Sequence, residues 1–129
     1  MNAQFQEVYK TSRNYPELVS KLIAIGIQSC TVDVATSTIL YRLAEGKNVL
    51  HPKDMHPRNI SPKFNQEETI TAIRTNQLGK SDYPTFMNEI AKAGVRFYEA
   101  TLSGDKKRVT YIGSGGHYEE IIPLSTTTN

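Results

Sequence analysis

The chain has no tryptophan, a single cysteine and no long apolar run, and each lack closes off a class of protein. One thiol, Cys30, cannot form an internal disulfide, which excludes a disulfide-stapled scaffold and fits a reducing cytosol. No stretch approaches the roughly 18 apolar residues that a membrane span requires. The opening run Met-Asn-Ala-Gln-Phe-Gln-Glu has neither a basic start nor an apolar core, so no secretory signal is read there. A net charge of +2 is too weak to argue for nucleic acid by itself. The expectation is therefore a cytoplasmic protein with no membrane and no specific nucleic-acid partner. At 129 residues it should form a single domain.

The most organised stretch is residues 81–94. Asp82 is placed to accept from the free N–H groups of a first helical turn, and Pro84 lacks an N–H that would go unpaired there. Phe86, Ile90 and Ala93 recur at helical spacing with Met87 beside them, and Gly94 suits the left-handed residue that closes a helix. An earlier twin runs over residues 14–26, where Asn-Tyr-Pro precedes Leu18, Val19, Leu22 and Ile25 and then Gly26. Tyr15 and Tyr83 lie 68 positions apart, and the same offset pairs Pro16 with Pro84, Leu22 with Ile90, Gly26 with Gly94 and Ile27 with Val95. Further on, Tyr41 aligns with Tyr111 and Gly46 with Gly116 at an offset of 70. This pattern predicts an internal duplication of two half-sized units, each too small to hold a core alone, that bury a shared face.

In chain order, the prediction is a short helix over residues 3–11 with Phe5, Val8 and Tyr9 on one face, then the helix that Gly26 ends. Residues 27–34 alternate and are rich in β-branched side chains, with Gln28, Cys30, Val32 and Val34 as the more apolar set, so they read as a strand. A turn at Ala35, Thr36 and Ser37 leads into a strand over residues 38–43, and a second turn leads into Val49 and Leu50. The first repeat is taken as residues 3–50, a connector as 51–66, the second repeat as 67–123 and a frayed tail as 124–129. The connector carries Pro52, Pro57 and Pro62, which favour an extended course, and Met55, Ile60 and Phe64 as apolar anchors. The second repeat reads as a helix over 67–78, the helix over 81–94, strands over 95–102 and 108–112, a hairpin loop at 113–116 and a last strand over 117–122. The fold class expected is α+β, with a mostly antiparallel sheet built from both halves and helices packed on one face.

The run Gln77-Leu78-Gly79-Lys80-Ser81-Asp82-Tyr83-Pro84-Thr85-Phe86 is followed by Ala91-Lys92-Ala93-Gly94-Val95, Val109-Thr110-Tyr111 and Ile121-Ile122-Pro123. With Gly26-Ile27, Thr31-Val32-Asp33-Val34 and Tyr41 of the first half, it resembles an uncharacterised family of bacteria and prophages, the YdfO/YbcV-like group, some of whose members are labelled "phage envelope protein". That family often has a tryptophan in the second-half strand where Phe97 and Tyr98 stand here. The resemblance implies an α+β fold and a phage or prophage origin in a bacterial cytoplasm. It carries no catalytic residue, metal or cofactor.

The residues themselves offer little for catalysis. Cys30 sits in the apolar alternation of a strand, aligned with Tyr98 of the other half, and reads as a packing residue because no base or helix N-terminus accompanies it. Gly113 to Gly116 lack the Lys-Ser/Thr of a phosphate loop and read as a hairpin turn. His51, Asp54 and His56 offer no third and fourth metal ligand at a familiar spacing. Glu119 and Glu120 are neighbours on a strand and point to opposite faces.

What remains is an excess of cations on the connector, from Lys47 through Lys53 and Arg58 to Lys63, with two histidines against the single acid Asp54. Such a stretch can attract phosphate or carboxylate, and the competing reading is a solvated loop. Tyrosines recur at matched places, Tyr15 with Tyr83 and Tyr41 with Tyr111, either as packing positions or as flat faces bearing a hydroxyl. The ligand-binding set expected is Lys53, His56 and Arg58 on an anionic group, with Gln77 and Tyr83 orienting the rest. Asp82 competes for the free N–H groups of that helix. The function expected is a non-catalytic binding protein for a small phosphate-bearing molecule, possessing no cofactor or metal, in one version a nucleotide-derived host signal sequestered to counter defence. The alternatives are a structural or protein-interaction module, with a homo-oligomer expected, and third a small nucleotide-processing enzyme.

Overall fold

The computed structural model describes residues 15–51, 57–104 and 106–122. The helix expected over residues 3–11, part of the connector and the tail fall outside these residues. Within them, three helices cover one face of a six-stranded antiparallel sheet. They are α1 (Tyr15–Ala24), α2 (Gln66–Gln77) and α3 (Tyr83–Lys92), and no helix among the described residues is long and apolar enough to cross a membrane. The strands are β1 (Ile27–Asp33), β2 (Thr38–Leu43), β3 (Asn48–His51), β4 (Val95–Thr101), β5 (Arg108–Gly113) and β6 (Gly116–Ile121). The order across the sheet is β3-β2-β1-β4-β5-β6, so within each half the successive strands pair as hairpins and the two halves meet along β1 and β4.

The helix boundaries follow from capping chemistry. Asn65 accepts from the Glu68 N–H at 2.9 Å to start α2, and Asp82 accepts from the Thr85 N–H at 2.9 Å to start α3. Gly26 and Gly94 take φ of 97° and 91° just past α1 and α3, a region closed to most side chains.

The registers of the two halves correspond. Along the central seam Thr31 faces Glu99, its own counterpart at the 68-residue offset, and Cys30 faces Ala100 as Tyr98 faces Val32. Cys30 pairs with Tyr41 in the first half and Tyr98 with Tyr111 in the second. The pairing shifts between Ile27 and Ser29, and again between Val95 and Phe97. These bulges correct the alternation predicted for β1: Ile27 and Val95 are buried, while Gln28 and Arg96 point to solvent. Beyond the bulge the expected alternation holds, with Cys30, Val32 and Val34 inside.

The core lies between this sheet face and the helices. Val19 and Leu22 of α1, Ala72 and Ile73 of α2, and Phe86, Met87 and Ile90 of α3 meet the inward side chains of the strands. The connector is seated against the end of α3 by main-chain bonds, Ser61 N–H to Ala91 O at 2.9 Å and Asn65 N–H to Ala93 O at 2.7 Å. Its Phe64 ring lies on the β5–β6 hairpin, where a Cβ on Gly113 or Gly116 would come within 2.7 Å of the ring. The opposite sheet face has no helix among the described residues over it and carries Leu50, Phe97 and Ile121 exposed.

Candidate functional site

The densest group of polar side chains forms where the end of α2 overhangs the free edge of the sheet. Residues three apart on a helix share a face, so Arg74 and Gln77 of α2 both reach β6. On β6, the alternation sends Tyr118 and Glu120 to the helix side and Glu119 to the other. Arg74 Nη1 donates to both Glu120 carboxylate oxygens, at 3.0 and 2.7 Å, and Gln77 Nε2 donates to Oε2 at 3.2 Å. The Tyr118 hydroxyl donates to Oε1 at 2.9 Å. Burial alone would raise the Glu120 pKa, but the hydrogen bonds from Arg74, Tyr118 and Gln77 together outweigh it and hold the carboxyl below the usual glutamate range.

From this carboxylate a row of aromatic rings runs inward across the sheet. Pairing sets Tyr118 opposite Tyr111, and Tyr111 opposite Tyr98. Their ring centroids are 6.4 and 5.2 Å apart. Phe86 meets Tyr98 edge-on at 6.4 Å, and Tyr83 lies 6.5 Å from Phe86. The Tyr83 and Tyr98 hydroxyls are 3.3 Å apart, with the Tyr83 ring still 37% exposed. Tyr111 is only 5% exposed, and its hydroxyl makes no hydrogen bond to the described residues. The wholly buried side-chain atoms without a partner among the described residues are Thr31 Oγ1 and Glu89 Oε1, so the Tyr111 hydroxyl keeps an opening to solvent and is available to an incoming ligand. Burial first, and the nearby Glu120 charge second, push its pKa up, which keeps it a neutral donor. Burial likewise raises the pKa values of Tyr83 and Tyr118.

Of the five residues expected to bind a ligand, Gln77 and Tyr83 belong to this group, the first through Glu120 and the second through Tyr98. Arg58 does not join them. Its guanidinium donates to Val34 O at 2.6 Å, Ser37 Oγ at 2.9 Å and Asn88 Oδ1 at 2.9 Å, which fastens the connector to the β1–β2 turn and to α3. Lys53 and His56 lie outside the described residues. The N–H groups at the start of α3 are engaged by Asp82, whose carboxyl is held below the usual range by its hydrogen bonds to Thr85.

Sequence reading missed Arg74, Tyr98, Tyr118 and Glu120 as members of a site. Arg74 and Gln77 at a spacing of three near a helix end were a usable signal, as was Glu120 beside Tyr118 on an alternating strand. Nothing in the sequence said that the two segments meet.

Two other places carry less chemistry. The Cys30 thiol is buried between β2 and β4, and desolvation pushes it up to about 12, so it is an inert packing group as expected. A depression of roughly 520 Å³ opens at the start of α2 between Lys63, Lys92, Glu67 and Glu68. Its charges are mixed, and Asn65 already serves the helix N-terminus there.

Residues 2–117 match the model of a family described as a protein of unknown function, DUF1398. None of the curated proteins matches the chain.

Proposed function

The chain belongs to the DUF1398 family of unknown function, so its role has to come from its own geometry, and we propose that it is a non-catalytic binding protein whose ligand is received at the tyrosine and Glu120 cluster. One observation carries this reading: the Tyr111 ring is nearly wholly buried while its hydroxyl has no partner among the described residues, beside a carboxylate that is already fully served. A ligand with a hydrogen-bond acceptor would pair with it, and the partly exposed Tyr83 face would lie against a flat ring. The ligand class that best combines these properties is a nucleotide or a nucleotide-derived molecule. Its anionic part would be met by connector cations such as Lys53 and His56. If the origin is phage or prophage, as the sequence resemblance implies, sequestration of a host signal is the corresponding role.

Binding is preferred over turnover because the buried Cys30 cannot act as a thiolate nucleophile and Glu119 and Glu120 face apart. The same reading takes the two halves as copies of one duplicated unit, supported by the shared 68-residue offset and by bulges at matching places. A second reading, a protein-interaction module, is favoured by the free edge of β6.

Mass spectrometry of the small molecules released by heating protein that has been passed through lysate of phage-infected cells separates the readings. An unmodified nucleotide derivative at about one per chain supports a sequestering protein. A chemically altered product would replace binding with catalysis, and an empty protein would leave the interaction module in front.

A further inference from the structure

The outer edge of β6 is unpaired among the described strands. The β5–β6 hairpin closes on the pair Gly113 and Gly116 across a two-residue turn, which makes that pair hydrogen-bonded and fixes the phase of the ladder. Gly116, Tyr118 and Glu120 therefore direct their main-chain groups at β5. His117, Glu119 and Ile121 direct theirs outward, where no described strand meets them. Three alternate residues with outward N–H and C=O groups form a template for one more antiparallel strand.

We propose that the occupant is β6 of a second copy, centred on Tyr118. A two-fold axis through the edge allows only a few registers, and charge selects among them. Centring on Glu119 or Glu120 sets each of these carboxylates against its own copy, which is unfavourable for residues directly opposite one another. Centring on His117 shortens the overlap and runs it into the turn. Centring on Tyr118 sets His117 opposite the partner's Glu119 and Glu119 opposite the partner's His117, and both residues have outward main-chain groups, so the ladder phase is satisfied. The imidazole N–H can donate to the carboxylate in each of the two pairs. Arg108 lies 3.8 Å from Glu119 and adds cationic charge on the same face.

On the helix-covered face this register brings Tyr118 against the partner's Tyr118, in the closer kind of antiparallel pair. The rows of Tyr98, Tyr111 and Tyr118 then join end to end across the axis. The other free edge is a poorer template: β3 has four residues, follows Lys47 and is followed in the chain by Pro52, which has no N–H to give. Pairing in this way needs no ligand, so it stands or falls apart from the binding reading.

Sedimentation equilibrium over a concentration series tests it, with His117→Glu, Glu119→Lys and the double variant. Both changed positions are exposed. His117→Glu places two carboxylates opposite each other twice per dimer, Glu119→Lys removes the acceptor of the imidazole N–H in both pairs, and each should weaken dimerisation about tenfold or more. The double variant recreates two opposite-charge pairs and should recover to within about threefold of the original. As an independent measurement, Tyr118→Cys should cross-link across the axis under mild oxidation, whereas Leu50→Cys on the β3 edge should not. A monomer at every concentration, single variants that dimerise unchanged, a double variant that stays as weak as the singles, or cross-linking at Leu50→Cys in place of Tyr118→Cys would each overturn the proposal.

Discussion

Alanine at Gly94 and at Gly26 should have very different costs, although the two glycines end corresponding helices and share nearly the same backbone angles, φ of 91° and 97°. Left-handed backbone costs a residue with a Cβ about 1–2 kcal/mol, and this applies to both. At Gly26 nothing lies within 4 Å of the added atom, so the cost stops there. At Gly94 the atom would lie 2.8 Å from the Lys63 carbonyl carbon and 2.8 Å from the Phe64 Cα, and closer still to the Lys63 oxygen. These are main-chain atoms that no rotamer change can move. They are held in place by the 2.7 Å bond from Asn65 N–H to Ala93 O and by Phe64 on the hairpin glycines. Overpacking of this kind adds about 1–3 kcal/mol, bringing the Gly94→Ala total to about 2–5 kcal/mol. For a domain of this size each kcal/mol shifts Tm by about 3–5 °C. Thermal unfolding followed by circular dichroism should therefore show Gly26→Ala about 5 °C below the parent and Gly94→Ala roughly twice as far below it. Equal losses would refute the seating of the connector on α3.

The remaining predictions concern individual side chains. Glu120→Gln should cost roughly 1 kcal/mol at neutral pH by weakening the bonds from Arg74, Gln77 and Tyr118. Because the folded-state pKa of Glu120 is lowered, its stabilisation is full above the ordinary glutamate value and lost as pH falls through the folded value, so the gap between parent and variant in urea titrations should close progressively as pH is taken below the ordinary glutamate range. Cys30 should resist alkylation in the native state at pH 8, where with its pKa at about 12 only about one thiol in ten thousand is ionised, and should react at once on unfolding. Arg58→Ala should lower stability by about 2–3 kcal/mol, because Val34 O and Ser37 lose a charged donor, and should increase proteolysis of the connector relative to the parent.

How much was legible in the sequence depended on how local the signal was. Caps and stops are local, so Asp82 before α3 and the glycines after α1 and α3 were readable residue by residue. The matched pattern of the halves also implied a sheet shared between them, and β1 against β4 is that seam. The bulges were not readable, since Ile27-Gln28 and Val95-Arg96 look like ordinary alternation until a partner strand shows the shifted register. The cluster on β6 was hidden for a related reason. Arg74 and Glu120 are separated by 46 positions, and only the return of the chain from α2 through β4 and β5 to the sheet edge brings them together. Connector charge, which sequence reading weighted most, misled at Arg58, where much of the guanidinium serves main-chain and side-chain acceptors of the fold itself.

The binding account is tested most directly with Tyr111→Phe, which removes one hydroxyl and leaves the packed ring in place. Parent and variant would be passed through the same infected-cell lysate, and the molecules released by heat quantified per chain. The account predicts a variant about as stable as the parent, because the hydroxyl has no partner among the described residues to lose, with recovery of the ligand reduced about tenfold. Equal recovery from both proteins would contradict the assignment of the site to Tyr111, and no released molecule from the parent would contradict the binding function itself.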